Sequence, residues 1–182
     1  TEVSVGSDFT NNISVADVAA LFGFQFRLGY NTTILDALAV SIKPSFEGSY
    51  QINDPEGYVY VEGWLPIGYP PLYGSFPLAS INFKAVSLGG SQLHLFETNL
   101  LDPMLNPIPH ITLDGSVIVS PKTIVVPDDF LTIQDAINAA NPRDTIFVRN
   151  GTYNENIVVN KSILLIGENR EDEKRNRRSS LE

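Results

Sequence analysis

An all-β fold in two parts, a sandwich followed by the start of a stacked parallel coil, is what this sequence predicts, and three observations predict it. From Val3 to Val119, short alternating apolar runs recur between turn signals, with no convincing long helix. Twelve prolines and thirteen glycines in 182 residues punctuate the chain as many short strands require. After Phe130 the pattern changes to one short amphipathic helix and then strand-like runs rich in β-branched residues.

The clearest strand is LFGFQFRLGYN, residues 21–31, where Phe24, Phe26, Leu28 and Tyr30 alternate with Gln25, Arg27 and Gly29. One face of such a strand is core and the other is presented. Similar alternation marks residues 58–64 (YVYVEGW), 78–86 (LASINFKAV), 92–95 and 115–119. Turns are expected at Asp54-Pro55-Glu56-Gly57, at Gly89-Gly90 and at Asp102-Pro103. Residues 120–127 read as a connector. Beyond it, Ile133, Ala136, Ile137 and Ala140 fall at helical spacing, Thr132 and Asp135 form a capping-box-like pair, and Asn141-Pro142 stops the run, so a helix is expected at about 132–140. Strands follow at 145–148, 156–159 and 162–166, with corners at Asn150-Gly151 and Asn160-Lys161.

Hydrophobic residues make up 43% and charged residues 18%, enough for a packed core. With no cysteine, disulfides, a cysteine nucleophile and thiolate metal sites are excluded. The net charge of −9 is carried before Glu168, because the segment 168–182 balances five basic against five acidic residues. An acidic surface repels nucleic acid and anionic membrane, so a soluble partner is expected. No run is apolar enough for a membrane span and no signal peptide is visible; Thr1 reads as a processed or trimmed end. Segment 168–182 reads as a solvated, disordered tail, its last three residues as vector-derived. Asn12, Asn31, Asn150 and Asn160 each begin an N-x-[ST] glycosylation pattern, which tilts the location toward the extracellular space or cell surface.

The helix and strands after Pro121 resemble the N-terminal cap and first coil of a pectate-lyase-like right-handed parallel β-helix, covering residues 121–167. A solenoid buries its apolar faces by stacking roughly three or more repeats. A lone coil leaves open strand edges and an apolar end, so it is expected to dock on the first domain or to self-associate.

Residues 1–120 resemble the cohesin family and its carbohydrate-binding relatives, in the order LFGFQFRLGYNTTILDALAV, GYVYVEGW, FPLASINFKAVSLGGSQLHL and DGSVIV. The phrase aromatic-x-F-x-L-x-Y-(D/N)-x-x-x-L runs here from Phe24 to Leu35. The resemblance implies a nine-stranded jelly-roll sandwich with strands at 2–5, 11–17, 23–30, 35–42, 49–52, 57–64, 77–86, 91–99 and 115–119. It also implies that strands three, five, six and eight share a face that holds a dockerin module, with Gln25, Arg27, Gln51, Tyr58, Tyr60, Glu62, Trp64, Gln92 and His94 pointing outward. Calcium is then expected on the dockerin rather than on this chain. Cellulosomal cohesins have Asp after the strand-three tyrosine; this chain has Asn31, which keeps the turn and weakens the case for the same contacts. A one-residue slip of the sixth strand would instead bury Tyr58, Tyr60 and Trp64, and the sequence leaves both registers open.

No catalytic constellation emerges. His94 and His110 lie on different elements without a carboxylate at ligand spacing, and nucleophile-elbow, phosphate-loop and H-E-x-x-H patterns are absent. The acid pairs Asp54/Glu56 and Asp128/Asp129, and the run Glu171-Asp172-Glu173, read as solvated acids. Oxygen ligands cluster in the 102–106 loop and at Asp54, as a calcium site would need, but no metal site is expected. β-Helix enzymes carry their catalytic groups on later coils, so no enzyme activity is expected. Competing with dockerin binding are a carbohydrate-binding module that stacks sugars on Trp64, Tyr69 and Tyr73, stiffened by Pro66, Pro70 and Pro71, and a structural spacer.

Overall fold

A computed structural model describes residues 1–168 and divides the chain into two compact units, the first Thr1–Ser120. The reading of 168–182 as a tail falls outside the described residues from 169 onward.

Period-two alternation builds the first unit from β1 (Glu2–Ser4), β2 (Asp8–Leu21), β3 (Gly23–Gly29), β4 (Leu35–Ile42), β5 (Glu47–Asn53), β6 (Tyr58–Trp64), β7 (Leu72–Ala85), β8 (Gly89–Leu101) and β9 (Gly115–Ser120). They form a six-stranded sheet in the order β1-β9-β8-β3-β6-β5 and a three-stranded sheet in the order β2-β7-β4. Phe24, Phe26, Leu28, Val59, Val61, Leu93 and Val117 of the larger sheet, and Ile13, Leu35, Ala79, Ile81 and Phe83 of the smaller one, share one buried core. The Phe83 ring stacks on Phe9 at 5.7 Å and meets Tyr30 edge-on at 5.2 Å, while Phe24 meets Phe46 edge-on at 5.0 Å. Gly63 is required beside them: a Cβ there would come within 2.6 Å of the Phe24 ring. Burial pushes the Tyr30 hydroxyl strongly upward, and its hydrogen bond to the Asp54 carboxylate reinforces the shift.

Several strands run longer than expected, among them β5 and β8, and β2 and β7 are the longest. β2 and β7 each span 14 residues, because bulges carry β2 past the point where alternation stops, with Asp17 and Ala20 at φ 50° and 57°. Tyr73 therefore lies in β7 rather than in a crossover loop.

The second unit holds β10 (Thr123–Val126), α1 (Ile133–Ala139), β11 (Thr145–Val148) and β12 (Leu164–Gly167). The three strands are parallel and aligned, with Ile124 beside Ile146 and Ile146 beside Leu165. Here the expectations need correcting twice. The 120–127 connector contains β10, whose β-branched run TIVV pairs with β11. Residues 156–159 are no strand: no strand among the described residues pairs with them, and the Gln134 side chain bonds Val158 instead, its Oε1 accepting from Val158 N–H at 2.7 Å and its Nε2 donating to Val158 C=O.

Helix α1 is capped at both ends by residues remote in sequence. Thr132 is the N-cap and accepts from Asp135 N–H, while the Glu155 carboxylate accepts from the N–H groups of Ile133 and Gln134, both at 3.0 Å. Lys161 Nζ donates to the carbonyls of Asn138 and Ala140 at 2.7 Å, satisfying the C-terminal end. Seven residues are too few for a self-supporting helix, so burial of Ala136, Ile137 and Ala140 against Ile124, Val126 and Ile146 stabilises it.

Candidate protein-binding face

Register decides which side chains the larger sheet presents. Val59, Val61 and Gly63 of β6 are buried, so Tyr58, Tyr60, Glu62 and Trp64 point outward; the slipped register is not adopted. Residues opposite one another in an antiparallel ladder share a face. Gln51, Tyr60, Arg27 and Phe96 therefore form one row across β5, β6, β3 and β8, and Asn53, Tyr58, Gly29 and His94 form the next. Gln25 and Glu62 belong to a third row, and Gln92 lies opposite Ser116 on the same side. All nine side chains expected outward are thus placed on one face.

At its centre the Arg27 guanidinium lies 4.7 Å from the Tyr58 ring centroid and 6.0 Å from that of Tyr60, and Nη1 is 3.0 Å from Glu97 Oε2. Glu62 accepts from the Tyr60 hydroxyl at 2.8 Å and from Ser49 Oγ at 2.9 Å. Burial, then the bond to Glu62, pushes the Tyr60 hydroxyl up, with Arg27 opposing. Tyr58 meets Phe96 edge-on, and Phe96 stacks on the His94 ring at 5.9 Å. His94 Nδ1 is 2.6 Å from Asp114 Oδ2, and Leu95 N–H donates to Asp114 Oδ1. The His94 bond, followed by the Leu95 N–H, holds the Asp114 carboxyl below its usual range. An ionised carboxylate can only accept, so His94 carries its proton on Nδ1.

Sequence reasoning missed Phe96, Glu97 and Asp114. A bulge, with Glu97 at φ 48°, breaks the alternation of β8 where Glu97 turns to Arg27. Asp114 reaches His94 from the segment entering β9, a pairing that spacing along the chain did not reveal.

No protein-family model matches the chain, and none of the curated proteins does. Solved structures do. The non-cellulosomal cohesin of Archaeoglobus fulgidus aligns at 18% identity and TM-score 0.56, over 65% of this chain and 85% of that one. The cohesin module of a Clostridium perfringens family 33 glycoside hydrolase aligns at 14% and 0.58, covering 65% and 90%. A type I cohesin–dockerin complex from Clostridium thermocellum aligns at 14% and 0.58, covering 65% and 88%. The chain contains a cohesin-like fold.

The remaining sequence candidates find other places in the cohesin-like unit. Trp64 lies over Gly23, where a Cβ would come within 2.3 Å of the indole, and meets Phe22 edge-on at 6.3 Å. Tyr69 is exposed in the loop after β6, and Tyr73 is exposed in β7. Asp102 accepts from the N–H groups of Met104 and Asn106 and from Asn106 Nδ2, which lowers its pKa. Those bonds close the 102–106 turn. His110 is engaged at both nitrogens, Nδ1 with Ile108 C=O and Nε2 with Thr98 Oγ1, each at 2.9 Å. Among the described residues no group of three or more His, Cys, Asp or Glu could hold a metal. No helix among them is long and apolar enough to cross a membrane.

Proposed function

We propose that the cohesin-like unit is a non-catalytic module of an extracellular or cell-surface protein, which binds a dockerin-type partner on the outward face of β8, β3, β6 and β5. The observation that carries this reading is the network in which Tyr58, Tyr60 and Glu97 hold Arg27 in place at the centre of that face. Rigid aromatics and a pre-oriented Arg concentrate binding energy at interfaces. The likeness to cohesin folds, one of them solved in a dockerin complex, supports the partner class. The exposed Asn12, Asn31, Asn150 and Asn160 support an extracellular setting. A standard interface buries about 800 Å² on each partner.

The second unit is read as the first coil of a parallel β-helix, supported by the in-register ladder from Thr123 through Thr145 to Leu164.

Calorimetric titration with calcium-loaded dockerin modules, with polysaccharides as a second panel, tests the binding role. Saturable dockerin binding that is lost in Arg27→Glu or Tyr60→Ala is expected. Binding of polysaccharide alone would overturn the assignment, and silence from both panels would leave a structural spacer.

A further inference from the structure

Asn150 and Gly151 are the one Asn-Gly pair in the sequence, and they form the exposed bend that follows β11. The bend is anchored on both sides. Arg149 N–H donates to Val126 C=O and its guanidinium pairs with Asp128 at 2.7 Å, while Asn150 N–H donates to Glu168 Oε2 at 2.7 Å. Because β11 lies between β10 and β12 in its sheet, a further coil would stack beyond β12 and not on this bend. The two groups that matter chemically stay outside these bonds: among the described residues the Asn150 side-chain amide and Gly151 N–H have no hydrogen-bond partner. Glycine also has no side chain to shield its nitrogen. Asp114-Gly115 in the first unit offers a contrast. Its carboxylate is held by His94 and by Leu95 N–H, and Gly115 lies in β9 opposite Leu93.

We propose that Asn150 is a site of spontaneous covalent modification, deamidating through a cyclic imide with Gly151. The Gly151 nitrogen bonds to Asn150 Cγ and the Cγ–Nδ2 bond breaks; the proton of Gly151 N–H departs with Nδ2 as ammonia. Water then opens the ring at either carbonyl, giving aspartate or isoaspartate. The product adds a carboxylate to a corner that already holds Asp128 and Glu168, and isoaspartate also adds a methylene to the main chain. Either product removes the amide that a glycan on Asn150 would need. This chemistry is independent of the proposed dockerin face.

Peptide mass spectrometry of the full, unglycosylated chain tests the proposal, after incubation at mildly alkaline pH and digestion in acid, beside a synthetic peptide of residues 146–156. Asn150 in the folded chain is expected to convert within about threefold of the peptide's rate, because the exposed bend does not restrain it. Gly151→Ala should slow the conversion about tenfold or more, since a Cβ crowds the attacking nitrogen, with unchanged far-ultraviolet circular dichroism. Asn150→Gln, whose longer side chain must close a larger ring, should stay an amide and serves if the first variant does not fold. An amide that survives in the folded chain while the peptide converts overturns the proposal. So does equal conversion in a folded Gly151→Ala or in Asn150→Gln, or another asparagine that converts as fast.

Discussion

The two sheets of the first unit bury their inner faces in the same core, yet their outer faces differ in kind. Apart from exposed Leu38 and Tyr73, the β2-β7-β4 sheet presents mainly polar side chains: Thr10 donates to Asn82, Ser80 donates to Asn12, and Lys84 lies opposite both Asp8 and Asp36. The larger sheet presents Trp64 and, tied together by ring and cation–π contacts, Tyr58, Tyr60, Phe96 and Arg27, the last also paired with Glu97. Folding demands apolar side chains on the inner faces, and it does not demand a cluster of aromatics on an outer one. Aromatics concentrated on the outer face of the second thus ask for an explanation outside the core, and a partner supplies one.

The largest effect should come from a residue that both sheets share. Phe83→Ala is expected to cost about 3–5 kcal/mol in urea unfolding, because the buried ring contacts Phe9 and Tyr30. A cost well under 1 kcal/mol would mean that the sheets do not depend on this junction. Next come paired substitutions on the two outer faces. Arg27→Ala should weaken dockerin binding by about 2–4 kcal/mol in calorimetry, whereas Lys84→Ala should leave it within about 0.5 kcal/mol. Equal losses would erase the functional contrast between the faces.

A smaller effect sharpens the edge of the larger face. Gly23→Ala must displace the Trp64 indole, costing about 1–2 kcal/mol, and since Trp64 is the chain's single tryptophan its fluorescence emission should shift to the red. Unchanged emission would show that the ring does not rest on Gly23. The smallest effect is acid-dependent. Asp114 is held below its ordinary range, so its contribution to stability is complete above about pH 4 and is lost as pH falls through its lower folded value. Wild type and Asp114→Asn should thus differ in thermal midpoint at neutral pH and converge in acid; a constant difference would exclude the His94 bond as its source.

Much of this was legible from residue order. The alternation of Phe24, Phe26, Leu28 and Tyr30 announces β3 because a strand's side chains change sides at every residue. Thr132, Asp135 and the stop at Asn141-Pro142 bracket α1, because a helix end has backbone groups to satisfy or forgo. Residues 156–159 were illegible: their β-branched composition suits a strand, but a strand needs a neighbour, and among the described residues Val158 meets only the Gln134 side chain.

The sequence by itself determined the β class, the inner face of β3 and the short capped helix, since each depends on local sterics and spacing. Tertiary structure decided the register of β6, because a period-two pattern of Tyr and Val permits either face inward until Val59 and Val61 meet the opposing sheet. It also decided the site. Glu97 reaches Arg27 only through a bulge, and Asp114 reaches His94 only when β9 folds back along β8; both contacts join segments distant in sequence, which no local periodicity encodes.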